Sequence, residues 1–570
     1  MANRFREHGH LMIVLMLTVV VSGLFGKELL ASPSNESIPG LSKKIHLKFV
    51  EGAKVRLRNN AFVTLGDDDL SGVRSVLQQF PGVSIERPFF RSEMALAEEK
   101  NRLEKTRRRS LPDLNLWYRL IVPADADAQA LIARLNQLSI VQIAYAEPLP
   151  APPPSADSHA APPLTPDFEG LQRYLDPAPD GIGARFAWTV PGGTGLGVSI
   201  IDIEYSWNQN HEDVSKASGA LIPNGTPACP DGPPGDVCRD DRHGTAVLGE
   251  LVADRNGFGV TGISYDATLG LVNVVNAERG YDLARSIDIA HAALSPGSVI
   301  LIEQQTSEDV PRGPCSQADP YIPVEWIQLY FNAIEMATAD GIVVVEAAGN
   351  GGCNLDDAAY VGLFDRARRD SGAIIVGAGS APGCTSPAHS RLGSSTYGSR
   401  VDLQGWGECV TTSGYGDLQG GDRNQWYTSR FGETSGASPI VAGASLALQG
   451  ISVDFLRRVL NPAELRDILV STGTPQVGSD HIGPLPDLVQ AIGRLRSLSP
   501  PNLISPPDGT VFPAGTTSAT VQWSVVPQAT GYDVEVTTGN CSGTFFDGAS
   551  LLPTETSFTV PGLTNGQAYF

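Results

Sequence analysis

The chain has 570 residues, of which 41% are hydrophobic and 18% charged, and its formal net charge is −21. That length and balance describe several folded domains and exclude a disordered chain. The acidic surplus argues against nucleic acid as a partner, which calls for a basic surface.

At the N-terminus, Arg4 and Arg6 precede an apolar run from Leu11 to Phe25, with small or polar residues following to Ala31 and Ser32. The pattern predicts a secretory signal peptide over residues 1–31, and hence a secreted protein. The run is short for a membrane span, and no later segment is expected to be a stable membrane anchor. The seven cysteines then fall in a compartment that permits disulfides. Cys229 and Cys238 could pair locally, and Cys315, Cys353, Cys384 and Cys409 could form two more bridges of open connectivity. No Cys-x-x-Cys pair occurs, so a zinc or thioredoxin-like site is not expected.

Residues 42–148 read as an α+β unit of two similar halves. Strands are predicted at Ile45–Leu57, Phe62–Leu65 and Val83–Ile85, around a helix at Leu70–Phe80. Glu93–Arg109 is charged throughout and predicts a solvated helix or loop, Arg107-Arg108-Arg109 included. Strand, helix and strand follow at Leu116–Val122, Ala126–Leu138 and Val141–Ala146. Residues 149–166, rich in proline and alanine, predict an extended linker.

Between residues 167 and 498, strands and helices alternate. Apolar strands are predicted at Val198–Ile201, Val299–Ile302, Ile342–Val345 and Ile374–Val376. Helices are predicted at His243–Ala253, Tyr281–Leu294, Val324–Ala339 and Ser438–Gln449. The expected fold is α/β, a mostly parallel sheet with helices on both faces and functional groups at the strands' carboxyl ends. Residues 500–570 turn all-β, with strands at Thr520–Val525, Gly531–Thr537 and Ser557–Val560. The segment Leu563–Tyr569 resembles the tyrosine corner of fibronectin type III and Ig-like sandwiches. The sandwich reads as truncated, which would leave Cys541 without its partner.

Three residue types suited to one task lie along the middle domain. Gly432-Glu433-Thr434-Ser435-Gly436-Ala437-Ser438-Pro439 is predicted to open a buried helix, with Pro439 in its first turn. A serine there sits in the positive field of the helix N-terminus and suits a nucleophile, although Thr434 or Ser435 could instead be a simple cap. Asp202 ends an apolar strand and His243 opens a helix. A serine hydroxyl needs an imidazole to take its proton and a carboxylate to orient that imidazole. The order Asp, His, Ser is one of three in which this constellation recurs.

His243-Gly244-Thr245, the Gly432–Gly443 segment and Ala347-Ala348-Gly349-Asn350 resemble the histidine, serine and oxyanion signatures of subtilisin-like (S8) peptidases. Gly257–Ile263, Gly473-Thr474-Pro475 and Ile482–Leu488 match as well. The resemblance, over roughly residues 165–495, implies a secreted endopeptidase of proteins or peptides, made as a zymogen with its own propeptide as inhibitor. It implies Ser435 as nucleophile, His243 as general base and acid, Asp202 as orienting acid and Asn350 as oxyanion donor. No cofactor is implied for catalysis, and structural calcium is compatible with it. The sequence departs from the family at Ile203-Glu204, Glu433 and Gly436, and Leu301–Thr306 is unusual for the substrate-binding strand. Glu204 and Glu433 either bring extra carboxylates to the site or point to solvent. A catalytically inactive binding or adhesion protein on the same scaffold is the alternative, with the sandwich contacting protein or polysaccharide. His211-Glu212-Asp213 is expected to be structural, and His291, His389 and His481 are expected at the surface or in local hydrogen bonds.

Overall fold

The computed structural model describes residues 44–123, 125–147, 165–228, 241–307, 315–497, 501–526, 531–539, 544–552 and 554–570. The expected signal peptide, nearly all of the linker, the Cys229–Cys238 pair and Cys541 lie outside them.

Six parallel strands carry the middle domain, in the spatial order Leu403–Trp406, Ile374–Gly379, Val343–Ala347, Val299–Ile302, Ser199–Glu204 and Thr268–Asn273. Strands paired this way cannot be joined by tight turns, and helices fill the crossovers. Because side chains alternate, Ile200, Val299 and Leu301 pack on one face, with Val247, Leu251, Ile440 and Val441 of the helices Asp241–Val252 and Glu433–Leu456. Ile201, Ile203, Ile300 and Ile302 pack on the other, with Ile287, Tyr330 and Ile334 of Leu283–Ala293 and Gln328–Ala339. Two disulfides, Cys315–Cys353 and Cys384–Cys409, pin loops of this domain and settle the connectivity left open above.

Glu433–Leu456 is, among the described residues, the one helix long and apolar enough to cross a membrane. It lies in the core, covered by the sheet, so burial accounts for its composition. It begins five residues before the predicted start, which places Pro439 in the second turn rather than the first. There the missing N–H leaves the Ser435 carbonyl without its usual helical partner.

The N-terminal unit is a four-stranded antiparallel sheet ordered Ser84–Glu86, Trp117–Ile121, Lys44–Phe49, Val141–Ala146. Helices Ser71–Gln78 and Ala128–Asn136 add Val73, Leu131 and Leu135 to its core. The single long strand predicted from Ile45 to Leu57 is broken. A turn through Gly52, at φ +87°, separates Lys44–Phe49 from a hairpin of Val55–Arg58 and Ala61–Thr64. The helix Glu93–Arg107 corrects the sequence reading more substantially, because it is docked and not solvated. Its Leu96 and Leu103 join the core of the middle domain, Arg102 pairs with Asp340 at 2.6 Å, and Arg107 donates to the Ala339 carbonyl at 2.8 Å.

The C-terminal residues form a three-stranded sheet of Leu503–Ser505, Ser518–Trp523 and Ser557–Pro561, and a hairpin of Tyr532–Thr538 with Thr544–Leu551. Trp523, Tyr532, Phe558 and Val560 close a small core between them. The Tyr569 hydroxyl accepts from the Thr564 N–H at 2.9 Å. This unit also grips the docked helix, through Lys105 with Asp547 at 3.0 Å and Arg107 with Ser550 at 2.9 Å.

Candidate active site

Asp202 and Glu204 lie two residues apart on one strand and therefore share a face. Both are fully buried, but they have different partners. Asp202 accepts from the Trp207 indole N–H at 2.7 Å through one oxygen, and its other oxygen has no hydrogen-bond partner. Burial, with Glu204 close by, pushes its pKa well above the usual carboxylate range. Glu204 stands at the strand's carboxyl end, where one oxygen accepts from the Tyr205 N–H at 2.8 Å and the other bonds His243 Nδ1 at 3.0 Å. The imidazole thus meets Glu204, not Asp202 as the resemblance implied. Strand Ser199–Glu204 runs on past Asp202, which keeps Asp202 deep in the sheet and brings Glu204 to the rim.

His243 sits in the first turn of Asp241–Val252 with Phe431 edge-on to its ring at 5.4 Å. Gly244 allows the helix to come this close. A Cβ there would lie 2.3 Å from the Ser206 carbonyl oxygen and 2.8 Å from Glu204 Cγ. Ser435 lies in the first turn of Glu433–Leu456, partly exposed, on a turn that forces Glu433 to φ +58°. That conformation is ordinarily a glycine's. The Glu433 N–H donates to the Gly407 carbonyl at 2.7 Å, and its carboxylate takes the Ser394 hydroxyl, so it is tied down beside the turn. Among the described residues no hydrogen bond joins Ser435 to His243, and such bonds often tighten only with substrate.

Asn350 follows strand Val343–Ala347. Its side-chain oxygen accepts from the Thr434 hydroxyl at 2.7 Å and the Thr434 N–H at 3.1 Å, which leaves its NH₂ edge to donate. Glu303, which follows strand Val299–Ile302, was not singled out in the sequence as a site residue. Its carboxyl reaches Ser438 Oγ at 2.5 Å, faces Ser435, and lies with Glu204 and His243 so that one nitrogen and two oxygens fall within 4.8 Å of one another. The signal was available: Glu303 directly follows an apolar strand in register with the one carrying Asp202.

His211 and His291 are held in hydrogen bonds away from His243. His211 bonds the Trp426 carbonyl at 2.9 Å, and Asp213 accepts from the Val260 N–H at 2.6 Å and from Asn256 at 2.8 Å. His291 is buried, not at the surface, between Arg91 at 3.2 Å and Asp340 at 3.1 Å. The His291 group also includes Glu99, and its charges are already met by Arg91 and Arg102. Among the described residues no cluster of three carboxylates presents the oxygen set that calcium prefers.

Residues 193–487, just over half of the chain, match the Subtilase family (peptidase S8). The chain belongs to that family, whose members are subtilisin-like serine peptidases with a central parallel sheet. Subtilisin Savinase of Lederbergia lenta is 28% identical over 299 residues, which is 51% of this chain and 87% of the relative. The alkaline protease of Alkalihalobacillus alcalophilus is 28% identical over the same length, and there the match spans only 62% of the relative. Among solved structures, fervidolysin from Fervidobacterium pennivorans, a keratinolytic enzyme, is similar over 94% of this chain and 71% of its own, at 15% identity and a TM-score of 0.47.

Proposed function

We infer that the protein is a secreted serine endopeptidase whose triad is Glu204, His243 and Ser435, with Asn350 as an oxyanion donor. The observation that supports this most is the buried bond from His243 Nδ1 to Glu204, 3.0 Å long, at the strand ends beside the nucleophile turn. A carboxylate on Nδ1 fixes the tautomer that leaves Nε2 free to accept a proton. Ser435 Oγ attacks the peptide carbonyl as His243 takes its proton. The oxyanion is met by the Asn350 NH₂ and the Ser435 backbone N–H. His243 then protonates the leaving amine, and water cleaves the acyl-enzyme by the same route. Glu204 orients the imidazole and stabilises the imidazolium. The chemistry calls for no cofactor. The inactive-scaffold alternative drew on the departures at Ile203-Glu204 and Glu433; in this reading Glu204 is the acid, and Glu433 is tied to Ser394 and Gly407 beside the turn.

The N-terminal unit is read as a propeptide. In support, Arg119 pairs with Asp282 at 2.6 Å, Arg91 with Asp288 at 2.6 Å and Arg109 with Glu335 at 2.6 Å. Phe89, Leu111 and Trp117 pack into the core of the middle domain alongside these ions. Intact-mass analysis over time of wild type and Ser435→Ala tests the whole reading. The expected outcome is that wild type loses a fragment ending within the linker while Ser435→Ala stays whole. A wild-type protein trimmed in the linker that is not labelled at Ser435 by a fluorophosphonate would overturn it.

A further inference from the structure

The catalytic centre holds more carboxyls than a triad uses. Glu303 faces Asp202 and Glu204 from the neighbouring strand, His243 and Glu250 from the histidine helix, and Ser435 and Ser438 from the nucleophile helix. No arginine or lysine is among them. Glu346, one strand further along, belongs to the opposite face with Glu325 and Arg400.

The protons around Glu303 can be counted. Ser438 Oγ lies 2.8 Å from the Thr434 carbonyl oxygen and 2.5 Å from Glu303 Oε1, yet a hydroxyl carries one proton. The Thr434 carbonyl can only accept. If Ser438 donates to it, the proton in the second contact must come from Glu303. As an anion, Glu303 would have the hydroxyls of Ser438 and Ser435 facing it and no cation, and it would sit only 6% exposed beside Glu204. As an acid, every proton has an acceptor. Burial, with the charges of Glu204 and Asp202, drives its pKa well up, against the pull of Ser438.

We propose that Glu303 is a positioning residue of the catalytic centre: as a neutral carboxylic acid it donates to Ser438, holds the turn that carries Ser435, and leaves Glu204 the only anion facing His243. Ionised, Glu303 would accept the Ser435 hydroxyl and turn it away from His243, and would add a second negative charge beside Glu204. Turned away, the hydroxyl has lost its base. The role therefore sets an alkaline limit on activity, and it rests on the triad proposed above.

The test pairs a pH profile of kcat/KM with an infrared difference spectrum, on enzyme matured from the full chain. The Glu303→Gln side chain can still donate to Ser438 but cannot ionise. Normalised to its own plateau, this variant should lose the alkaline fall, or move it up by at least about one pH unit, while keeping the acid limb. The infrared difference between wild type and Glu303→Gln at neutral pH should contain a protonated-carboxyl band, and in wild type that band should fade along the alkaline limb. An unchanged alkaline limb in the variant, or a missing band, overturns the proposal. Should Glu303→Gln fail to fold, the infrared difference between wild type and Ser438→Ala decides: loss of the Glu303–Ser438 bond should shift one protonated-carboxyl band, and no shift overturns the proposal. The infrared readout needs no turnover, so inactive wild-type protein would count against the triad and leave the protonation of Glu303 separately decided.

Discussion

Charge is buried in two regions of this molecule, and the two are built in opposite ways. Where the N-terminal unit docks, buried Asp282 has Arg119, buried Asp288 has Arg91 and half-buried Asp340 has Arg102. In the catalytic centre, Asp202, Glu204, Glu250 and Glu303 crowd together with His243 as the one basic side chain among them. Paired groups hold surfaces together. A bare carboxylate in the interior costs more than a protonated one, and burial accordingly pushes the pKa values of Asp202, Glu250 and Glu303 up. Ion pairs thus join the docked unit to the middle domain, while the acids grouped around His243 have no arginine or lysine among them.

The sharpest way to break this contrast is to neutralise each strand acid in turn. Glu204→Gln should lower kcat by about 10⁴-fold, the scale seen when a triad acid becomes an amide. Asp202→Asn, which preserves an acceptor for Trp207, should lower it by less than about tenfold. Steady-state kinetics on the two purified variants checks this, and the reverse order would return the role of triad acid to Asp202.

At the docking surface the expected effect is smaller but still large. Arg119 is fully buried, and Arg119→Met strands Asp282 without its cation and leaves Glu147 with Lys44 alone. Breaking such a pair on one side costs about 3–5 kcal/mol. Urea unfolding of the Ser435→Ala chain should show the N-terminal unit released at lower denaturant.

The weakest expected effect is on pH dependence, where the two regions should fail at opposite ends. Burial, then the charges of Arg119 and Lys44, hold His46 well below the usual histidine range. A depressed pKa contributes stability above the unfolded value, and that stability is lost as pH falls, so the docked unit weakens in acid. Asp202, Glu250 and Glu303 are raised, so their contribution is complete at low pH and lost as pH rises through their folded values. Each group changes stability by at most about 1.4 kcal/mol per pH unit. Unfolding of His46→Gln and Asp202→Asn across pH should flatten the acid side and the alkaline side respectively.

Much of this was legible in the sequence. Apolar runs ending in small or polar residues marked four strands of the central sheet, and His243, Asn350 and Ser435 fell at element ends as their motifs implied. That His243 bonds Glu204 was not legible, for a physical reason. Strand periodicity puts Asp202 and Glu204 on one face but does not say where pairing stops, and two more residues of strand move the rim from one carboxylate to the other. The docked helix Glu93–Arg107 was misread for a related reason. Its charged residues look the same whether their partners are water or Asp340 and Asp547, which lie far away in sequence.

That helix is held by the middle domain on one side and by the C-terminal sheets on the other. A rigid element with two grips behaves as a bivalent ligand: while one contact holds, the other rebinds at high effective concentration. Once the linker is cut, escape of the N-terminal unit would require both contacts to open together, so trimming the C-terminal sheets should shorten its residence time without altering a single contact in the catalytic centre.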